Sequence, residues 1–143
     1  MPGMDKGFPK GVYGIGVREQ LEPGEDSYFK ENPHVAGMAA DDDKIITNPY
    51  SKLKEDEMRL LMINEAARVH MRRNFERPNF EITQEQLDRP LGGGMLMKDY
   101  SQDMNDIRQT LAARILTGDP SAGNATPEQQ EYVARLRSFM GVK

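Results

Sequence analysis

The sequence predicts a mainly α protein: a long irregular arm over residues 1–47, then a small helical domain over 48–143 with three main helices and one short one. Two observations predict it. Apolar residues recur at three- and four-residue spacing in three separate stretches after residue 50, each bounded by residues that start or stop helices. Before residue 48 that period is missing. Glycines at 3, 7, 11, 14, 16, 24 and 37 and prolines at 2, 9, 23 and 33 interrupt the chain instead.

The 143 residues suit one modest domain. The hydrophobic share is 37%, the charged share 29% and the mean hydropathy −0.73, so core is scarce and surface plentiful. Such a chain gains by completing its core against a partner. The arm holds five Lys or Arg against nine Asp or Glu, a sum of −4 that equals the net charge of the whole chain. Within it, Tyr28 and Phe29 are expected to anchor by aromatic burial, and Lys44–Thr47 to form a short strand or extended lead-in. An arm of this composition becomes ordered by lying against another surface.

Asn48-Pro49-Tyr50-Ser51 reads as a turn, with Ser51 as N-cap of a helix over 52–74. Acidic Glu55, Asp56 and Glu57 suit its start, and basic Arg68, Arg72 and Arg73 its end. Met58, Leu61, Met62, Ala66 and Val69 make its apolar stripe, widened by Leu53, Leu60, Ala67 and Met71. Thr83 with Gln86 spells a capping box that opens a short helix ending near Arg89-Pro90. The glycine triplet of "LGGGMLMKD" reads as a loop. A second long helix covers 101–117, with Met104, Ile107, Leu111 and Ile115 inward, Leu116 in support and Arg114 at the edge of the stripe. Gly118 and Pro120 stop it. Thr126-Pro127-Glu128-Gln129 opens the last helix, whose stripe is Tyr132, Val133, Leu136 and Met140 and which ends at Gly141. The short loop between the last two helices predicts an antiparallel hairpin.

The chemistry is sparse. Zinc hydrolases write His-Glu-x-x-His on a helix so that both imidazoles reach one metal. Here Asn64 and Arg68 occupy the ligand positions, and His70 falls on another face. Glu65 and Arg68 read as an (i, i+3) pair. A calcium loop starting at Asp41 would need glycine and glutamate where Ile46 and Lys52 stand. "GVYGIG" lacks the dinucleotide-loop spacing. With no cysteine and two histidines, no catalytic, cofactor or metal residue is assigned. The patch "RVHMRRNFER" suits either phosphate or a helix C-terminus facing the acidic arm. The acidic balance speaks against specific nucleic-acid binding. No segment approaches the roughly 20 apolar residues of a membrane span, and none resembles a signal peptide, so no membrane role is expected.

"NPYSKL", "NEAARVHMRR" and "RQTLAARILTGDPSAGNATPEQQEYVARLR" together resemble short proteins encoded in tailed-bacteriophage genomes. The likeness runs over most of the chain from Val35 onward, and departs at "LGGGMLM", where a more polar linker is expected. It attaches no catalytic residue. It implies a non-enzymatic virion or assembly protein, made in the host bacterial cytoplasm and held in the particle in multiple copies beside other virion proteins. The expected contact residues are Tyr28, Phe29, Arg68, Arg72 and Arg73. A small cytoplasmic adaptor for a host or phage enzyme is the alternative, and a degenerate hydrolase-like enzyme the third reading.

Overall fold

The computed structural model describes residues 13–92 and 94–142; the first twelve residues of the expected arm, Gly93 and Lys143 lie outside the described residues. The protein is mainly helical with little strand. It divides into two compact units, the first ending at His70 and the second beginning at Met71.

In the first unit the structure adds elements that the sequence reading leaves out. Helix α1 (Pro23–Glu31) has proline at its start, and the Glu25 carboxylate accepts from the Glu22 backbone N–H at 2.8 Å. That closes a capping box of glutamates around a helix with one buried residue, Phe29. Strands β1 (Gly37–Ala39) and β2 (Ile45–Thr47) pair antiparallel, Met38 opposite Ile46. On the other edge of β2, Val17 makes a parallel bridge to Ile45. Phe29, Ala40 and Ile46 form the core there, with Leu21, Val35 and Met38 packed on it. The strand expected at Lys44–Thr47 is β2. Gly37 is required by close approach, because a Cβ would meet the Ile46 carbonyl oxygen at 2.9 Å.

Helix α2 (Glu55–Arg73) starts three residues later than expected, and its last three residues belong to the second unit. Ser51 is not its cap: the Ser51 hydroxyl accepts from the Leu53 N–H, while the first helical bond runs from Met58 to the Lys54 carbonyl. Met62, Ala66, Ala67, Val69 and Met71 are buried as the stripe requires, but Leu53 and Leu60 are exposed.

In the second unit, α3 (Gln84–Leu87) opens with the Thr83–Gln86 capping box. The expected glycine loop is partly a hairpin, β3 (Pro90–Gly92) with β4 (Met95–Leu96), followed by a 3-10 turn at Met97–Asp99. Helix α4 (Met104–Thr117) is capped by Asp103 and ends on Gly118 in the left-handed conformation. Its buried face is rotated from the expected stripe. Ile107, Leu111 and Leu116 are buried with Ala112 and Ala113, Ile115 is half-buried and Met104 is exposed. Helix α5 (Pro127–Met140) has the expected Thr126–Gln129 box and buries Tyr132, Val133, Leu136 and Met140.

Helices α4 and α5 pack on each other. The Arg137 guanidinium donates to the Leu116 carbonyl at 3.1 Å. A nine-residue connection, Gly118 to Thr126, joins them.

Candidate interaction surfaces

The helix segment with zinc-hydrolase spacing holds a hydrogen-bonded cluster. Arg68 Nε donates to Asn64 Oδ1 at 2.9 Å and lies 4.0 Å from the Glu65 carboxylate, the (i, i+3) pair read from the sequence. His70 is buried, with Nε2 2.7 Å from the Tyr13 carbonyl oxygen. Among the described residues no group of three His, Asp or Glu side chains is placed to hold a metal ion.

The two expected aromatic anchors separate. Phe29 is fully buried in the core of the first unit, while Tyr28, one residue earlier on the helix, is 45% exposed. Beside them Arg18 binds three pieces of chain. It grips the Glu25 carboxylate with Nη1 and Nη2, both at 2.8 Å, holds Asp42 with Nε at 3.0 Å and donates to the Gln20 carbonyl. The Arg18 hydrogen bonds and then the Glu22 N–H pull the Glu25 carboxyl down to about 2. Asn48 does similar work for the turn. Its Nδ2 faces the carbonyls of Phe29, Asn32 and Val35 at 3.2, 3.1 and 2.6 Å, and its Oδ1 accepts from the Tyr50 N–H.

The Gly118–Gly123 loop is also held from within. Asp119 accepts from the Ser121 N–H and hydroxyl, Arg114 donates to Ser121 and pairs with Asp119 at 3.6 Å, and Arg89 donates to the Pro120 carbonyl. An open cavity of about 500 Å³ lies beside α3 and α4, lined by Leu87, Met104 and Ile107 with Lys98, Asp99, Ser101 and Gln102. Its cation is engaged, since Lys98 pairs with Asp88 at 3.3 Å.

A different surface forms where α5 meets the chain after α2. Phe139, 50% exposed, packs on Phe75 with ring centres 5.0 Å apart and planes inclined by 39°. Phe75 meets Tyr132 edge-on at 5.7 Å, and Tyr132 meets buried Phe80 in the same way. Arg135 lies over the Tyr132 ring at 5.6 Å and forms an ion pair with Glu76. The Tyr132 hydroxyl donates to the Glu76 carbonyl at 2.7 Å, and burial raises its pKa. Arg72, Arg73 and Arg77 are exposed in the adjoining segment.

Compared with known proteins, the chain matches no family model, no curated protein and no solved structure.

Of the residues singled out in the sequence, Arg72 and Arg73 are exposed and stand three and two residues before Phe75 in the chain. Phe139 escaped notice because it stands just off the α5 stripe. Its one usable signal is the i, i+4 spacing from Arg135, which puts an aromatic and a cation on one outward helix face.

Proposed function

We propose that this chain is a non-enzymatic structural component of a tailed-phage particle, held by contacts to neighbouring subunits. Residues 1–47 serve as its acidic contact segment, and residues 48–143 as a small body of three main helices and one short one. The observation that carries the contact role is that each unit exposes a large aromatic near charge: Tyr28 in the first, three residues before Glu31 on α1, and Phe139 in the second, one turn after Arg135 on α5. Aromatic and arginine side chains are the groups that anchor protein interfaces. The assignment to a phage particle rests on the resemblance carried by the Asn48–Ser51 turn, the Asn64–Arg68 helix segment and the Gly118–Gly123 loop. In all three the polar groups are engaged in internal hydrogen bonds, which suits motifs kept for architecture.

Mass spectrometry of purified particles tests the reading. The protein is expected among the virion components in many copies. Its absence from particles, with abundance in the infected-cell lysate, would favour the adaptor reading. Stoichiometric zinc surviving dialysis would revive the hydrolase-like one.

A further inference from the structure

We propose that the outer edge of β1 is a pairing surface for a second copy of this chain, whose own β1 lies antiparallel along it about a two-fold axis at Met38. The pairing rests on the multi-copy reading above and names one contact by which copies meet.

The ladder leaves that edge open. The Asn48 N–H donates to the Ala36 carbonyl and the Ala40 N–H to the Lys44 carbonyl, both at 2.8 Å, so Ala36 and Ala40 face β2. Bonded and non-bonded positions alternate along an antiparallel pair. Met38, opposite Ile46, is therefore bonded to β2 as well, while Gly37 and Ala39 turn their N–H and C=O away from it. Ile45, opposite Ala39, fixes the same phase from the other side. Its N–H donates to the Gly16 carbonyl at 2.8 Å and its carbonyl accepts from the Arg18 N–H at 2.9 Å. The sheet thus runs from the 16–18 segment through β2 to β1 and stops. Among the described residues no group bonds to the N–H or C=O of Gly37 or Ala39. Gly37 is buried and Ala39 half-buried, and buried backbone groups are seldom left unpaired. A strand laid along β1 satisfies them.

Register and charge select β1 itself as that strand. Antiparallel pairing of Gly37 with Ala39 of the second copy, and of Ala39 with its Gly37, joins every outward group and sets the two Met38 residues opposite each other. Charge fixes the direction. Asp41, Asp42 and Asp43 form the turn that follows β1, in a stretch, residues 13–47, with three Lys or Arg against eight Asp or Glu. Parallel pairing would lay two such turns side by side. Antiparallel pairing sets each turn where the other copy enters its strand through His34 and Val35, about 20 Å from the other turn at about 3.4 Å per residue. Because the same edge meets itself, the contact is isologous and closes at a dimer. A three-residue strand buries far less than the about 1,200–2,000 Å² of a stable interface. The dimer is therefore weak in solution and gains strength where many copies are held together.

The full chain has no cysteine, so single substitutions map the contact by disulfide formation. Met38→Cys should cross-link as a dimer under mild oxidation, since a non-bonded antiparallel pair sets its α-carbons about 4.5 Å apart, within disulfide range. Asp41→Cys, in an exposed turn, should stay monomeric under the same conditions. Ala39→Pro removes an outward N–H that the β1–β2 ladder does not use, so it should keep the wild-type circular dichroism. Added to Met38→Cys, it should slow cross-linking at least about tenfold. In wild type, exchange of the Gly37 and Ala39 amide hydrogens should slow as concentration rises. Cross-linking as fast at 41 as at 38, or unchanged by a folded Ala39→Pro variant, overturns the proposal. So does amide exchange that ignores concentration: fast exchange leaves the edge to a strand of another protein, and slow exchange means that the chain's own segment covers it. If Ala39→Pro does not fold, positions 38 and 41 and the exchange rates decide. A protein found in particles whose edge does not pair sinks this proposal alone. Edge pairing by a protein absent from particles sinks the virion reading alone.

Discussion

Gln86 and Gln129 hydrogen-bond to each other in both directions, Nε2 to Oε1 at 2.6 and 2.9 Å, 43 residues apart in the chain. Each is also the third residue of its own helix and accepts from the N–H of its own capping threonine, Thr83 or Thr126, at 3.0 Å. The remaining amide hydrogens reach the Asn124 and Glu81 carbonyls at 3.0 and 2.8 Å. Both side chains are fully buried, and each uses all four of its hydrogen-bonding positions. Two local capping boxes thus become one tertiary joint between the starts of α3 and α5.

Breaking that joint from one side leaves polar groups unmet in the interior. Gln129→Met should destabilise the second unit by about 2–4 kcal/mol, counting about 1–3 for each buried group left unsatisfied. Gln86→Met should cost a similar amount. The double variant should cost less than the sum, because the second change removes a partner already orphaned. Urea titrations of the three variants measure this, and strict additivity would count against a shared joint.

The Arg18–Glu25 pair predicts a pH dependence. The Glu25 carboxyl, held down to about 2 against its ordinary 4.5, binds its proton more weakly in the folded chain than in the unfolded one. The stability it contributes is therefore present above about 4.5 and lost as pH falls through about 2. Thermal melts across that window should fall more steeply for wild type than for Glu25→Gln. Parallel slopes would mean the pair contributes nothing.

Asn48 ties the end of α1 to the entry of β1 through three carbonyls. Asn48→Ala should cost about 1–3 kcal/mol. Asn48→Asp should cost more at neutral pH, since it turns a donor into a charged acceptor facing carbonyl oxygens, and should recover part of the loss in acid. Equilibrium denaturation at the two pH values separates the cases.

Leu111 is fully buried on α4, so Leu111→Ala should cost about 2–5 kcal/mol. Met104, counted inward by its spacing, is exposed, and Met104→Ala should change stability by no more than about 0.5 kcal/mol. Arg114, read from the sequence as lying at the edge of the stripe, clamps Ser121 and Asp119. Its loss should cost about 1–2 kcal/mol. Denaturation midpoints should be lowest for Leu111→Ala, intermediate for Arg114→Ala and nearest to wild type for Met104→Ala.

The sequence by itself determined what is encoded within one or two helical turns. Thr83 with Gln86 and Thr126 with Gln129 start their helices, Gly118 and Gly141 end theirs, and the 3.6-residue period of Tyr132, Val133, Leu136 and Met140 sets the inner face of α5. These signals act between neighbours in the chain, where residue type and spacing suffice. The arginines at the end of α2, Arg72 and Arg73, were legible for the same reason, as charges placed against a helix dipole. Only the tertiary structure decided the rest. It left Met104 outside the packed face of α4, and buried Phe29 fully while leaving Tyr28 on the surface. It gave residues 13–47 a helix and a hairpin around Phe29, where apolar residues are too few to show a period. It also joined Gln86 to Gln129 and brought Phe139 onto Phe75. Those outcomes depend on side chains dozens of residues apart meeting in space, and no local period or cap records which distant partner will satisfy a given group.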